Sequence, residues 1–442
     1  MLKRIVMLIA CALLLFLSWS AVLGMQTPIQ KQTELIILAD NEIKRGTYAN
    51  AESILLQASA YNTKLTTKAL GKLKGVYLKL GYTQDYVNVL KKLTSRKDCP
   101  ADDYVEFANY CITQNKITEC MIMLRLGIER TNDQKLIDFY EEQRYTFTVG
   151  NDIYDEVTEY QKGGIQVKMD TFWGLANSSG KLVIPCSYEQ ISTFDSVNGG
   201  CVVALQSDHK VVSLNMRNQK ISIFEMPVNK IGNLSQDKIS LQLMSGKWII
   251  ANSNLISNNT EYDDIGTVAN SAVAVKVADK WGVISLNNKI IVPYEYDEII
   301  NNELGQCYFQ NAVFAKNGDT IYLIVDGKIH SGTYEDAHPF TDDGWAAVKK
   351  NGKWGFIDKS GELMIDYQFE NALSFSQNLA ATQIASQAGG TEFWGYINIY
   401  GKSVIEPKFL KAKSFTNGNA PVLTELGWQF ITLREYLKGG VL

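Results

Sequence analysis

The apolar positions of this chain fall into three successive patterns. From Ile5 to Leu23 they run almost unbroken, with Ser18 and Ser20 as the polar interruptions. From Pro28 to Phe147 they recur at helical spacing, as at Ala51, Ile54, Leu55 and Ala58, which are the i, i+3, i+4 and i+7 positions of one helix face. Beyond Gly150 they alternate in short runs bounded by Gly, Asn and Asp, such as AVAVKV from Ala272 and WAAVKK from Trp345, the period of half-buried strands. The pattern predicts an α + β multidomain protein: a transmembrane or signal helix over 1–24, an α-helical solenoid over 28–147, and an all-β repeat domain over 150–438. A chain of 442 residues exceeds one ordinary core and has room for such a division.

The first segment opens with Lys3 and Arg4 before its apolar run. A run from residue 5 to residue 23, at about 1.5 Å per helical residue, approaches the roughly 30 Å of a bilayer core and exceeds the usual apolar stretch of a signal peptide. Basic residues before it place that end in the cytoplasm, so the expectation is a single-pass anchor with the body extracytoplasmic. Two alternatives stand beside it. Ser18 and Ser20 are small enough for signal-peptidase cleavage, and Leu8-Ile9-Ala10-Cys11 resembles a lipobox; either would also export the body, as a secreted protein or a lipoprotein.

In the helical segment, Gly46, Gly81 and Asn115 stand 35 and 34 residues apart, each where one helix is expected to close and the next to begin. A helix-turn-helix unit of this period resembles the tetratricopeptide repeat. Gly46, Tyr48, Ala51 and Ala58 fit that pattern, whereas later units carry Val87, Thr118 and Cys120 instead. The resemblance implies a short solenoid of three units and a last helix over about 133–145, with a concave face for an extended peptide or partner helix. Packing against the β domain is the plainer use of the same helices. Lys64, Lys68 and Lys72 are expected to form a basic helix stripe, solvated or turned to anionic lipid.

The β segment repeats. NGKWGFIDKSGELMIDYQF from Asn351 returns as DTFWGLANSSGKLVIPCSY from Asp170, ADKWGVISLNNKIIVPYEY from Ala278 and TEFWGYINIYGKSVIEPKF from Thr391. With worn copies, the positions Trp173, Val211, Trp248, Trp281, Tyr322, Trp354, Trp394 and Trp428 make one register of eight units. Each unit predicts a hairpin ending in the Trp strand, then a tight turn, then a short apolar strand stopped by Pro185, Pro293 or Pro407. The turn is predicted from Asn177, Asn252, Asp358 and Asn398 at Trp+4, with Gly180, Asn288, Gly361 and Gly401 at Trp+7: a side chain that bonds its own backbone, then a residue tolerant of positive φ. Gly174, Gly282, Gly355 and Gly395 are expected to let a backbone or ring approach closely. Tyr188, Tyr296, Phe369 and Phe409, with Phe194, Phe375 and Phe415 further on, are expected to fill the core between units.

Through K-W-G-x-I-D-x-x-G-x-x-x-I from Lys353 and its relatives, the segment resembles the WG-repeat proteins of bacteria. The resemblance implies an architecture and no established reaction. Units that cannot bury their own faces must stack on neighbours. A propeller-like ring is the expectation, with an open array as the alternative.

Charge and chemistry narrow the picture further. Residues 1–147 carry 19 Lys+Arg and 15 Asp+Glu out of totals of 43 and 47, leaving 24 against 32 beyond them. The β segment is therefore acidic by 8 charges, which argues against nucleic acid as a partner. Seven cysteines (Cys11, Cys99, Cys111, Cys120, Cys186, Cys201, Cys307) include no C-x-x-C pair, and His209, His330 and His338 sit at no metal-ligand spacing. The cysteines read as small buried residues, and no catalytic, cofactor or metal residue is nominated.

Glu189, Asp263, Asp297, Glu335 and Glu370 recur after the Trp+15 aromatic. A catalytic acid is wanted once, so a recurring one reads as a backbone-bonding element rather than half of a glycosidase pair. Asp342-Asp343-Gly344 and Tyr262-Asp263-Asp264 read as turns without the spacing of a calcium loop. The expectation is a membrane-tethered interaction or scaffold protein of the cell envelope that binds a protein, peptide or cell-wall glycan and needs no cofactor. The alternative is an envelope carbohydrate-active enzyme whose carboxylate pair the sequence does not reveal. Any such site is expected where the units differ.

Overall fold

The computed structural model describes residues 27–160, 163–196, 199–257, 260–384 and 392–434. The expected anchor over 1–24, its alternatives at Ser18, Ser20 and Cys11, and the end of the β domain past Arg434 lie outside them. No helix among the described residues is long and apolar enough to cross a membrane.

The helical unit has seven described helices: α1 Pro28–Arg45, α2 Tyr48–Ser59, α3 Thr66–Leu80, α4 Thr83–Ser95, α5 Ala101–Thr113, α6 Ile117–Thr131 and α7 Gln134–Arg144. The turns after α1, α3 and α5 carry the left-handed residues Gly46 (φ 76°), Gly81 (φ 75°) and Asn115 (φ 53°), as the 34-residue rhythm predicts. A capping box at Thr27 and Gln30 starts α1. Leu55, Leu73, Leu90, Leu93, Tyr104 and Met121 form one apolar core with their neighbours. Lys74 crosses between helices to Asp103 (2.5 Å) and Glu106 (2.8 Å), and Glu106 accepts the Tyr86 hydroxyl (2.6 Å). Burial opposes the Lys74 charge, but these two carboxylates outweigh it and raise its pKa. The predicted lysine stripe is shorter than expected, because Lys64 lies in the turn ahead of α3 and Lys72 pairs with Asp40 at 2.5 Å.

The β unit begins at Tyr145, so the helical region stops short of the expected residue 147. It is an eight-bladed propeller. The blades are residues 156–188, 190–224, 228–251, 264–296, 298–334, 336–369, 371–409 and 411–433, numbered one to eight. Blade three has three named strands and the others have four. Blade eight takes its outer strand from the start of the unit: Phe147, Thr148 and Val149 pair with Leu433, Thr432 and Ile431. That pairing closes a ring and excludes the open array.

Within a blade, the predicted roles of most repeat residues are met. Trp173, Trp281, Trp354 and Trp394 each stand directly across the ladder from Tyr188, Tyr296, Phe369 and Phe409. A Cβ on Gly174, Gly282, Gly355 or Gly395 would sit 2.4–2.8 Å from the carbonyl oxygen of Ile184, Val292, Ile365 or Ile405. The bulge of the next strand occupies that space, so a side chain is sterically excluded. The Oδ1 atoms of Asn177, Asn252, Asp358 and Asn398 accept from backbone amides two and four residues on, at 2.9–3.1 Å. Phe375 and Phe415 are fully buried, packed edge-on against Phe356 and Tyr396, while Phe194 is half-buried and lines a cavity.

Two expectations need correction. In blade five the Trp position belongs to Ile321, not Tyr322, because Ile321 pairs with Lys316 and Tyr334 as Trp281 pairs with Lys276 and Tyr296. The prolines do not stop the fourth strands: Pro185, Pro293 and Pro407 lie inside Leu182–Tyr188, Ile290–Tyr296 and Ser403–Phe409. These are outermost strands, which tolerate a residue that cannot donate on their open side.

Candidate functional site

The first strand of each blade is only two to four residues long, and the loop that follows it turns toward the ring axis. A cavity of about 810 Å³ is lined by Tyr160, Phe194, Gln236, Asn270, Tyr308, Phe340, Gln377 and Asn417, one from each blade in order. A cavity that draws on every blade can lie only on the axis. Asp195, Asp342 and Asp343 are its charged residues, and no Lys or Arg is among its described lining residues.

Hydrogen bonds run from blade to blade around this mouth. Asp195 accepts from Asp237 N (2.8 Å), Gln236 from Ser271 N (2.9 Å), Asp343 from Asn378 N (2.7 Å) and Gln377 from Gly418 N (3.0 Å). Asn270 donates to the Tyr308 carbonyl at 2.9 Å. The donors Asp237, Ser271, Asn378 and Gly418 all have positive φ (59–68°), the conformation of tight hairpin turns. The mouth is thus a fixed rim rather than a set of independent loops.

One loop departs from the others. In blade five, residues 300–311 join the first and second strands, against 266–271 in blade four and 373–378 in blade seven. Asn302 Oδ1 folds its start into a turn by accepting from Leu304 N (3.0 Å) and Gln306 N (2.9 Å). Leu304 is 3% exposed. Its carbonyl accepts from Asn233 Nδ2 of blade three (3.1 Å), and the Gly305 carbonyl accepts from Thr267 N of blade four (2.7 Å). Glu303 reaches Lys413 of blade eight to form an ion pair. A blade-five loop that meets blades three, four and eight crosses the axis. It separates the 810 Å³ chamber from a second one of about 960 Å³, with Asn302 and Gln306 lining both.

Asn233 ties this crossing to the frame. Its Oδ1 accepts from Gln166 Nε2 of blade one (2.8 Å) and from Thr193 N of blade two (3.1 Å), so one amide links four blades. Glu159 of blade one lines the second chamber with Glu303 and Lys413. Burial pushes the Glu159 carboxyl up to about 7; Lys413 opposes that rise and Glu303 adds to it. Ser414 N lies 3.4 Å from Glu159 Oε2, and the Tyr396 hydroxyl donates to the Lys413 carbonyl at 2.8 Å. Burial also lowers the pKa of His338, which stacks on Trp354 with centroids 5.0 Å apart. In the same chamber Asn301 Oδ1 is buried with no hydrogen-bond partner among the described residues.

The recurring carboxylates lie elsewhere, at blade junctions. Asp263 accepts from Lys247 and Ala278 N, Asp297 from Lys280 and Gly318 N, Glu335 from Gly352 N, Glu189 from Ser207 and Glu370 from Lys353. Asp263, Asp297 and Glu335 accept from backbone amides of neighbouring turns, as expected, whereas Glu189 and Glu370 bond the side chains of Ser207 and Lys353. Asp343 and Gly344 form a turn, with φ 78° at Gly344. Among the described residues no group of three or more His, Cys, Asp or Glu side chains is placed to hold a metal. The six described cysteines are unbridged, and five are buried. Glu159, Asn233, Glu303 and Lys413 escaped sequence reasoning because they have no counterparts in other units. The visible signal was the extra length between Ile299 and Ala312.

Comparison with known proteins supports the β architecture. The family model described as "WG containing repeat" matches residues 173–203, 281–303, 331–354, 354–385 and 394–425. No curated protein matches the chain. Among solved structures, BamB from Moraxella catarrhalis is similar at 11% identity and a TM-score of 0.42, over 65% of this chain and 99% of its own. Hsv2 from Kluyvelomyces marxianus is similar at 10% identity and 0.36, over 55% and 97%, and the AfRom2 CNH domain at 10% and 0.33, over 58% and 98%. The five matches fall in every blade but the third: the chain carries the WG-containing repeat, in a C-terminal all-β repeat domain.

Proposed function

We propose that the protein is an interaction scaffold whose propeller binds a polypeptide segment at the axial mouth, held outside the cytoplasm at a membrane by its apolar N-terminal segment. The single observation that carries the binding reading is the 810 Å³ mouth, to which all eight blades contribute. Concave sites of this size with apolar walls and a few fixed polar groups are the usual ligand sites of a protein. Aromatic rings of Tyr160, Phe194, Tyr308, Phe309 and Phe340 supply the apolar walls, and the rim amides and carboxylates supply hydrogen bonds. The absence of Lys and Arg among the described lining residues beside Asp195, Asp342 and Asp343 favours a segment with neutral or basic side chains over an acidic one.

The carbohydrate-active reading needs two carboxylates flanking a groove with room for a sugar between them. The two acids that converge here, Glu159 and Glu303, instead share one ammonium, that of Lys413. This arrangement favours a structural role for them over a hydrolytic one.

The test is affinity capture from envelope extracts with the full chain, beside Tyr308→Ala and Asp342→Ala variants. The expected result is a polypeptide retained by the wild type and lost from both variants. Equal retention by all three, or retention of a cell-wall glycan in its place, overturns the reading. For the membrane anchor, an alkaline carbonate wash is expected to leave the full chain in the pellet; release to the supernatant overturns it.

A further inference from the structure

The two chambers on the axis are separated by a segment whose position depends on an unbalanced set of charges. Past Ile300, whose N–H donates to the Phe314 carbonyl at 2.9 Å, the loop to residue 306 is held by no ladder. Its contacts are the Asn233 and Thr267 bonds to its backbone, burial of Leu304, and the Glu303–Lys413 pair on the far side of the axis. Glu159 projects into the same place from blade one. Two carboxylates therefore face one ammonium, with Glu159 half-buried and the Glu303 side chain 40% exposed.

We propose that residues 300–306 form a plug of the axial channel, latched by the Glu303–Lys413 pair, and that ionisation of Glu159 loosens it. As regulation of the axial site, this rests on that site being the one that binds; the movement of the plug does not.

The groups facing Glu159 come from three blades. They are Lys413 and Ser414 N from blade eight, Glu303 from blade five and the Tyr396 hydroxyl from blade seven. In the same chamber, Glu156 is paired with Lys168 at 2.6 Å, Lys411 lies at the start of blade eight, and burial lowers the pKa of His338. With Glu159 protonated, the central set holds one cation and one anion. With Glu159 ionised, two anions compete for Lys413, and Glu303 is repelled by a like charge. Glu159 and Lys413 lie within two residues of a strand, whereas Glu303 lies four residues into the longer loop, so the plug yields first.

Opening the plug moves Glu303 away and admits water to Glu159, which returns its carboxyl toward the ordinary value of 4.5 from about 7. The closed state thus binds the proton more tightly than the open one. Closure is firmest at or below the ordinary carboxyl value, weakens as the pH rises toward about 7, and is weakest above it. Each pKa unit that opening relieves favours the open loop about tenfold at high pH.

The experiment is hydrogen exchange of the full chain at a pH of about 5 and of about 8, corrected for intrinsic chemical exchange and read at the amides of Leu304, Gly305 and Gln306. The expected result is about tenfold weaker protection at the higher pH, with the strand amides of 346–348 unchanged. Glu159→Gln, neutral at both values, is expected to keep the tighter protection throughout. Glu303→Gln is expected to show the weaker protection throughout. Equal protection of the wild-type loop at both pH values overturns the proposal, as does a full pH response in Glu159→Gln. Should Glu159→Gln not fold, a wild-type titration decides alone: a transition ending near pH 7 supports the latch, and a flat profile overturns it. A failed partner capture leaves this result standing, and a flat profile leaves the binding site standing.

Discussion

The carboxylates of the propeller come in two kinds, and the contrast between them locates its chemistry. At the blade junctions, Asp263, Asp297, Glu335 and Glu370 recur in register, exposed or half-exposed, each satisfied by a turn amide, a lysine or both. On the axis, Glu159 and Glu303 occur once each, share a single lysine, and leave one carboxyl held up to about 7. Repetition here marks what every blade needs in order to stack, and singularity marks where charge has been left unbalanced. The same division holds for the glycines and amides. Gly174, Gly282, Gly355 and Gly395 serve each blade's own bulge, whereas Asn233 serves four blades at once.

Substitutions at the two kinds of position should separate them by size and by reach. The largest effect is expected at Gly395→Ala, where the new Cβ would lie 2.4 Å from the Ile405 carbonyl oxygen. A loss of about 3 kcal/mol in chemical denaturation is expected, with the whole β unit affected. A loss under about 1 kcal/mol would mean that the bulge can move aside.

Next comes Asn233→Leu, which strands the partners of one amide in three other blades. It should cost about 2 kcal/mol and lower exchange protection in the loop 300–306 at every pH. Unchanged loop protection would break the claim that Asn233 holds the crossing segment. Asp358→Ala removes a turn acceptor of two backbone amides, 2.9 and 3.0 Å away. A loss of about 1 kcal/mol is expected, confined to blade six when read by exchange. The smallest effect is expected at Lys353→Gln, which breaks the pair with Glu370, whose side chains are 41% and 24% exposed. That change should cost less than about 1 kcal/mol by thermal denaturation. A larger loss there than at Asn233 would invert the comparison.

The frame was legible in the sequence because it is written many times. Eight recurrences of one pattern gave the hairpin, the Asx turn after the Trp strand, the tight glycine and the cross-strand aromatic. What repetition could not supply was the reach of individual loops. The place of Ile321 is masked in the sequence because Tyr322 is the aromatic there, while the ladder, set by Lys316 and Tyr334, selects its neighbour. Proline reads as a strand end because a ladder needs donors, a constraint that lapses on an outermost strand. The axial set was invisible for a simpler reason. Glu159, Glu303 and Lys413 are distant in sequence and ordinary in type, and only closure of the ring brings them together.

Blade eight joins Phe147–Val149 to Gly427–Leu433. During synthesis the first of these strands emerges early and finds its own ladder only after the last blade has been made. Seven blades can form in order behind the ribosome, but the sheet that seals them is the last to be completed. A chain cut short before residue 427 would therefore carry unsatisfied edges at both ends of an incomplete ring, and such edges are templates for joining to other chains.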